Sequence, residues 1–293
     1  KSNLMNLNLL FDNLTNPALL FFILGILAVQ LKSDLEIPEN SAKFISIYLL
    51  FAIGFKGGQE LSHSTFSMDI FWVVIFCVLA SFLVPIYCFY ILKRKLSIDN
   101  SVAIAAAYGS VSAVTFVTAI SFLEIQGMTY NGHMVAMLAL MEVPAIVVAV
   151  ILLKYYSTKT NATSIGLIVK HSLTNGSVFL VIGSLLIGFL ASEKQALEIK
   201  PFTNDIFKGF LAVFLLDKGI ESGKNLKGFF SNGWFTKGFA IIIPFINGIF
   251  VAWITQFFIT DVTDRFMVAV LAASASYIAV PAAMKITVPN ANP

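Results

Sequence analysis

Two stretches of this chain place small hydroxyl-bearing residues in the middle of apolar runs, where a stable helix would carry Leu, Ile or Val. Ala106 to Thr115 reads AAYGSVSAVT, and Ala272 to Pro281, 166 residues later, reads AASASYIAVP. Aligned without a gap, they match at Ala106/Ala272, Ala107/Ala273, Ser110/Ser276, Ala113/Ala279 and Val114/Val280. A helix interrupted there would present the unsatisfied N–H groups and positive dipole end of its second half. Two such ends facing each other form an anion site that needs no buried Lys or Arg. Pro281 supports an interruption in the second run, since it lacks a backbone donor and disfavours helix just before it; Gly109 weakens the first more mildly. Either run alone reads equally well as small residues that let two helices approach. Their pairing points to a site, because interrupted segments at corresponding positions of two halves mark the binding sites of secondary transporters.

Glu142 carries the second candidate chemistry. It stands in LMEVPAI, near the centre of an apolar run, where an unpartnered carboxylate costs roughly 2.5–3.5 kcal/mol or more. Pro144 frees a carbonyl at the same level. With the hydroxyls of Ser112 and Thr115, these oxygens suit a small hard cation; a structural hydrogen bond from Glu142 to a neighbouring helix is the alternative. Asp217, beside Lys218, is a further cation candidate, although such clusters near span ends also read as interfacial ion pairs with snorkelling lysines. Lys56, with Glu60 at the equivalent end of an earlier span, reads as structural. His63, His133 and His171 fall near span ends without metal-ligand spacing and read as solvated positions. Cys77 and Cys88 share one helix face but lie about 16 Å apart along its axis, too far for a disulfide, and read as packing residues. Phosphate-cradling G-x-x-x-x-G-K-[ST], G-x-S-x-G and H-E-x-x-H motifs are all missing from the sequence, which argues against an enzyme, a resident cofactor or ATP-driven pumping. An ion gradient would have to drive transport.

The elements that hold these residues follow from composition. The chain has 293 residues, of which 58% are hydrophobic and 12% charged, and its mean hydropathy is +0.86. Soluble domains average about 25% charge, and 28 Phe residues suit lipid better than a soluble core. A net charge of +3 gives no nucleic-acid footprint, and no signal-peptide pattern opens the chain. Lys1 in place of an initiator Met indicates a trimmed start. Apolar runs of about 20 residues predict nine spans: Leu9–Leu31, Ala42–Leu61, Ile70–Leu92, Ser101–Leu123, Gly132–Tyr155, Leu173–Ala191, Phe202–Ser222, Trp234–Ile259 and Arg265–Ile286. The connections between them are short and polar.

The chain restarts after the fifth span. Gly25 matches Gly183, Lys56-Gly57 matches Lys218-Gly219, Pro85 matches Pro244, and the two serine runs match each other, all at offsets of 158 to 166 residues. Four matches in one order read as an internal repeat. Residues 1–156 form a first five-helix unit, 157–172 a cytoplasmic connecting loop and 173–293 a second unit. An odd number of spans inverts the second copy and predicts a tenth span, of which the chain, ending at Pro293, would be the truncated or ordered part. The fold class is therefore an all-α membrane protein, an inverted repeat with nine of ten transmembrane helices and two broken ones. With the N-terminus outside, thirteen Lys and Arg fall on the cytoplasmic side and five outside, as the positive-inside rule requires.

The run AASASYIAVPAAMK from Ala272 to Lys285, followed by VPNANP, resembles the SbtA family of sodium-dependent bicarbonate transporters. Phe55-Lys56-Gly57-Gly58, Leu215-Leu216-Asp217 and Glu142-Val143-Pro144-Ala145 carry the same resemblance, which extends over nearly the whole chain. It implies a homotrimer of protomers split into core and gate domains, in a bacterial plasma (inner) membrane, with the broken helices crossing in spans four and nine. Bicarbonate would lie among Gly109, Ser110, Val111, Ala275, Ser276 and Tyr277, with Ser112, Thr115, Glu142 and Asp217 as sodium ligands. A trimeric PII-like protein that responds to adenine nucleotides would dock on the cytoplasmic face, although the Tyr156–Ser172 loop has no obvious regulatory insert. The function expected is sodium-coupled symport of bicarbonate by alternating access. Two alternatives stand beside it: a sodium-coupled organic-anion symporter of bile-acid-transporter type, and a membrane anion sensor or scaffold that moves nothing.

Overall fold

A computed structural model of the chain describes residues 15–63, 67–156, 176–231, 233–276, 279–288 and 290–291, with positions 166, 170 and 174. Every element among them is helical. In order they are α1 (Pro17–Gln30), α2 (Glu39–His63), α3 (Met68–Leu92), α4 (Ile98–Gly109), α5 (Ala113–Ile125), α6 (His133–Leu140), α7 (Glu142–Tyr156), α8 (Gly176–Leu190), α9 (Glu193–Lys200), a π-helical turn (Pro201–Asp205), α10 (Phe207–Ser231), α11 (Trp234–Thr255), α12 (Val262–Ala273) and α13 (Ala279–Thr287). Each predicted apolar run overlaps one of these helices or a consecutive pair, and several helices extend past the predicted limits. Among the described residues, four stretches are long and apolar enough to cross a membrane by themselves: Met68–Leu92, Ile98–Ile120, His133–Tyr156 and Trp234–Thr255. α3 and α11 expose large apolar side chains such as Phe82, Leu83, Phe245, Ile249 and Phe250, a surface whose natural solvent is lipid.

Helix starts follow local chemistry. Pro17 opens α1 behind Asn16, whose Oδ1 accepts from the Ala18 N–H at 2.9 Å. Ser67 and Ser97 cap α3 and α4 in the same way, each at 3.3 Å, satisfying donors that have no helical acceptor. α9 begins with a capping box between Ser192 and Gln195; this exposed helix occupies what the sequence reads as a polar connection. α10 runs on to Ser231, beyond the Ser222 limit that hydropathy sets, because its last turns are polar helix outside the apolar window.

The chain forms two compact units, and each draws on both sides of residues 157–172. The first comprises residues up to Ile53 with Ala191–Gly238, the second Gly54–Leu190 with Phe239–Pro293. In the first unit α1 packs along α10. A Cβ at Gly25 would fall on the backbone of Leu216–Ile220, and one at Gly219 on the carbonyl of Phe22, so this contact requires glycine on both sides. Tyr48 of α2 packs on the rings of Phe202 and Phe210, and its hydroxyl donates to the Phe202 carbonyl.

The second unit holds α3 to α8, α12, α13 and most of α11. There the end of α2 meets α8 through Gly58, set on Leu185–Phe189, and Gly188, set on Phe55. Gly188, not Gly183, is thus the α8 glycine in close helix contact, since a Cβ at Gly183 would meet nothing within 4 Å.

Candidate functional site

Both serine runs interrupt their helices. α4 stops at Gly109, Ser110 is extended (φ −95°, ψ −177°), and α5 begins only at Ala113. α12 stops at Ala273, Ser274 is extended (φ −83°, ψ 169°), and α13 begins at Ala279. The serines cause the interruption by competing for backbone groups. Ser112 Oγ accepts from the Thr115 N–H at 3.1 Å and starts α5; Ser276 Oγ accepts from the Val280 N–H at 3.2 Å and starts α13. Ser274 Oγ donates to the Leu271 carbonyl at 2.8 Å.

The two interruptions lie against each other. The Ser276 N–H donates to the Ala107 carbonyl at 2.8 Å, and the Ser112 N–H donates to Ser274 Oγ at 3.0 Å. α13 packs on α4 and α7, while α12 packs on α5, α3 and α6. Two carbonyls at the end of each first half-helix are satisfied inside the protein. Ala106 O accepts from the Ser110 N–H at 3.1 Å, Ala107 O from Ser276, and Leu271 O from both the N–H and the hydroxyl of Ser274. Ala272 O accepts from Asn247 Nδ2 at 3.1 Å. α5 and α13 begin beside these ends, with Ser112 and Ser276 as their caps.

Around this crossing sit most of the residues singled out in the sequence. Gly109 is buried against the Pro85 ring, and a Cβ on it would also lie 3.1 Å from Ala145 Cβ. Ser110 is 1% exposed, and its Oγ makes no hydrogen bond. Val111, Ser112 and Ser276 are buried, Ala275 and Thr115 half-buried. Glu142 opens α7 at 8% exposure with Oε1 unpartnered, one turn from Ala145 and hence from the Gly109 contact. Tyr277 lies outside the described residues. Asp217 belongs to the first unit, where Lys218 Nζ stands 3.1 Å from its carboxylate and 2.7 Å from that of Glu221, and the serine breaks belong to the second.

His133 corrects the reading of solvated histidines. It is buried, with Nε2 3.0 Å from Asp264 Oδ2. Asn131 Nδ2 donates to the other oxygen of Asp264 at 3.0 Å. Beside them Asp261 caps α12, accepting from the Asp264 N–H at 2.9 Å and from the Thr263 hydroxyl. Burial pushes the Asp261 carboxyl up, but these hydrogen bonds outweigh it and hold it below the usual carboxylate range. His63 is exposed, and His171 lies outside the described residues.

Sequence reasoning also missed a bridge. The Tyr87 hydroxyl donates to Asn247 Oδ1 while Asn247 Nδ2 holds Ala272 O. A buried Asn in an otherwise apolar run was the available signal.

Membrane-length apolar helices, and two interrupted helices that meet inside one unit, mark an integral membrane protein. Over residues 17–293 the chain matches the Na+-dependent bicarbonate transporter superfamily. It belongs to that superfamily. No curated protein shows significant similarity to it.

Proposed function

We propose that this chain is a secondary transporter that couples sodium entry to bicarbonate uptake by alternating access. The observation that supports the reading is the pair of serine breaks held against each other by the Ser276–Ala107 and Ser112–Ser274 hydrogen bonds, beside the starts of α5 and α13. A small planar anion suits a site walled by Ser, Ala and Gly backbone; a larger organic anion would need a wider apolar cavity. Bicarbonate then rests among Gly109, Ser110, Val111, Ala275, Ser276 and Tyr277. Sodium binds at Glu142 with Ser112 and Thr115, neutralising a carboxylate that is costly to bury alone.

The inverted repeat is part of this proposal. Its support is the spacing of equivalent features: the glycine contacts Gly25/Gly188 and Gly58/Gly219, the helix-interior prolines Pro85/Pro244, and the restarts Ala113/Ala279, at offsets of 159 to 166 residues. Two compact units that each take chain from both halves are what a core and a gate require. An N-terminus outside a bacterial plasma membrane follows from the charge bias; a homotrimer and a PII-like cytoplasmic partner are carried over from the resemblance.

The test is uptake of labelled bicarbonate into proteoliposomes at fixed pH, with and without an inward sodium gradient. We expect sodium-dependent uptake that Ser110→Leu and Glu142→Ala each reduce to the level of protein-free liposomes. Folded wild-type protein giving no more than that level would overturn the bicarbonate assignment, and organic anions would be tried next.

A further inference from the structure

α3 and α7 run side by side in the same direction. At their C-terminal ends the Tyr90 and Tyr156 hydroxyls are 3.0 Å apart, and the Phe89 and Tyr156 rings pack at 5.0 Å. At the other end Asp69 of α3 lies within electrostatic reach of His133, which begins α6 just ahead of α7. α4 starts only a short turn after α3 and returns antiparallel to it, ending at Gly109 on Pro85 of α3 and Ala145 of α7. This three-helix junction fixes a level in the unit.

One helical turn towards the N-terminal ends of α3 and α7, about 5 Å away, the same two helix faces carry Ser81, four residues before Pro85, and Glu142, three before Ala145. The chain leaving Gly109 travels the same way and supplies Ser110. All three side chains are enclosed, at 0%, 8% and 1% exposure respectively, and Ser81 Oγ, Glu142 Oε1 and Ser110 Oγ make no hydrogen bond. The backbone adds to them. Pro85 has no N–H for the Ser81 carbonyl and Pro144 none for the Leu140 carbonyl, so two peptide oxygens are freed at this same turn. One carboxylate, hydroxyls and carbonyls, closed off from water, are the oxygen set of a hard cation, and a single negative charge matches a single positive one.

We infer that Ser81 is a further ligand of the sodium site, through its hydroxyl and its proline-freed carbonyl, so that α3 contributes to the site with α7 and the chain that runs from the end of α4 into α5. The inference rests on the sodium-coupled reading above and names a residue and a helix that reading does not contain. Ser101 supplies the control. It too is wholly buried with an unpartnered hydroxyl, but it stands eight residues before Gly109, on the far side of the junction.

The experiment is thermal denaturation of the purified protein, titrated with sodium chloride against choline chloride at constant ionic strength. Wild type should be stabilised by sodium specifically, and Ser81→Ala should raise the half-maximal sodium concentration about tenfold, the scale of losing one supporting contact at a metal site. Ser101→Ala should match wild type and Glu142→Gln should lose the response. If Glu142→Gln loses it while Ser81→Ala stays within twofold of wild type, or if Ser101→Ala shifts as far as Ser81→Ala, Ser81 is not a ligand although the coupled reading survives. A wild type indifferent to sodium overturns both.

Discussion

Gly109 is where a single atom decides the site. Its missing Cβ lets the end of α4 rest on the rigid ring of Pro85 and beside Ala145, which sets the height at which Ser110 turns out of the helix. Elsewhere in a helix, replacing Gly by Ala is stabilising by about 0.5–1 kcal/mol. Gly228 in α10 has nothing within 4 Å of such a Cβ and should show that gain. At Gly109 the added methyl has to push apart α3 and α7, and overpacking of this kind costs about 1–3 kcal/mol. Gly109→Ala should therefore lower the denaturation midpoint in detergent while Gly228→Ala raises it. Equal shifts in the same direction would mean the junction gives way easily and does not define the height of the break.

At the scale of elements, the second interruption is held by a side chain on another helix. Asn247 of α11 is buried, and both ends of its amide are used: Oδ1 accepts from Tyr87 of α3, and Nδ2 donates to the Ala272 carbonyl at the end of α12. Asn247→Leu would strand two buried polar groups, each worth about 1–3 kcal/mol when left unsatisfied. Tyr87→Phe removes one group and strands only the amide oxygen, so its cost is smaller. Once Asn247 is gone, the Tyr87 hydroxyl is itself one of the stranded groups. The double variant should therefore be less destabilised than the sum of the two singles, which a double-mutant cycle on thermal or denaturant unfolding measures. Additive effects would mean the bridge does not hold α12. This bridge also marks the limit of what the sequence made legible. The apolar runs, the serine breaks and Glu142 beside Pro144 were readable because each is a local departure from a strong local pattern. Tyr87 and Asn247 are 160 residues apart, and although an Asn in an apolar run is a local signal, nothing beside it names Tyr87 or the Ala272 carbonyl as its partners. His133 and Asp264 were hidden for the same reason, since a histidine at a span end looks solvated until a distant helix brings it an acid. The exposed helix α9 was passed over because its polar composition outweighed the Ser192–Gln195 capping signal at its start.

For the whole molecule, transport requires that the two ions share a conformational equilibrium and do not merely occupy neighbouring places. In the proposed site the anion end and the Glu142 end would meet at one junction, because α4 ends at Gly109, just before Ser110, while packing on α7, which carries Glu142. Under the proposed function, sodium beside Glu142 would offset a buried negative charge, and an anion held at the serine breaks would gain from that neutralisation. The coupling free energy is then favourable and, being thermodynamic, the same in both directions. Typical couplings of about 1–3 kcal/mol correspond to roughly 5–150-fold changes in affinity. We therefore expect saturating bicarbonate to lower the half-maximal sodium concentration by some factor in that range, and saturating sodium to lower the half-maximal bicarbonate concentration by the same factor. Both can be read from ligand-dependent denaturation of one preparation, without any flux. Glu142→Gln should bring the two factors to one together, because it removes the charge through which the ions sense each other. Unequal factors would indicate a second sodium or anion site outside the crossing. Factors of one in the wild type would leave two independent ions, a protein that binds both without using either to move the other.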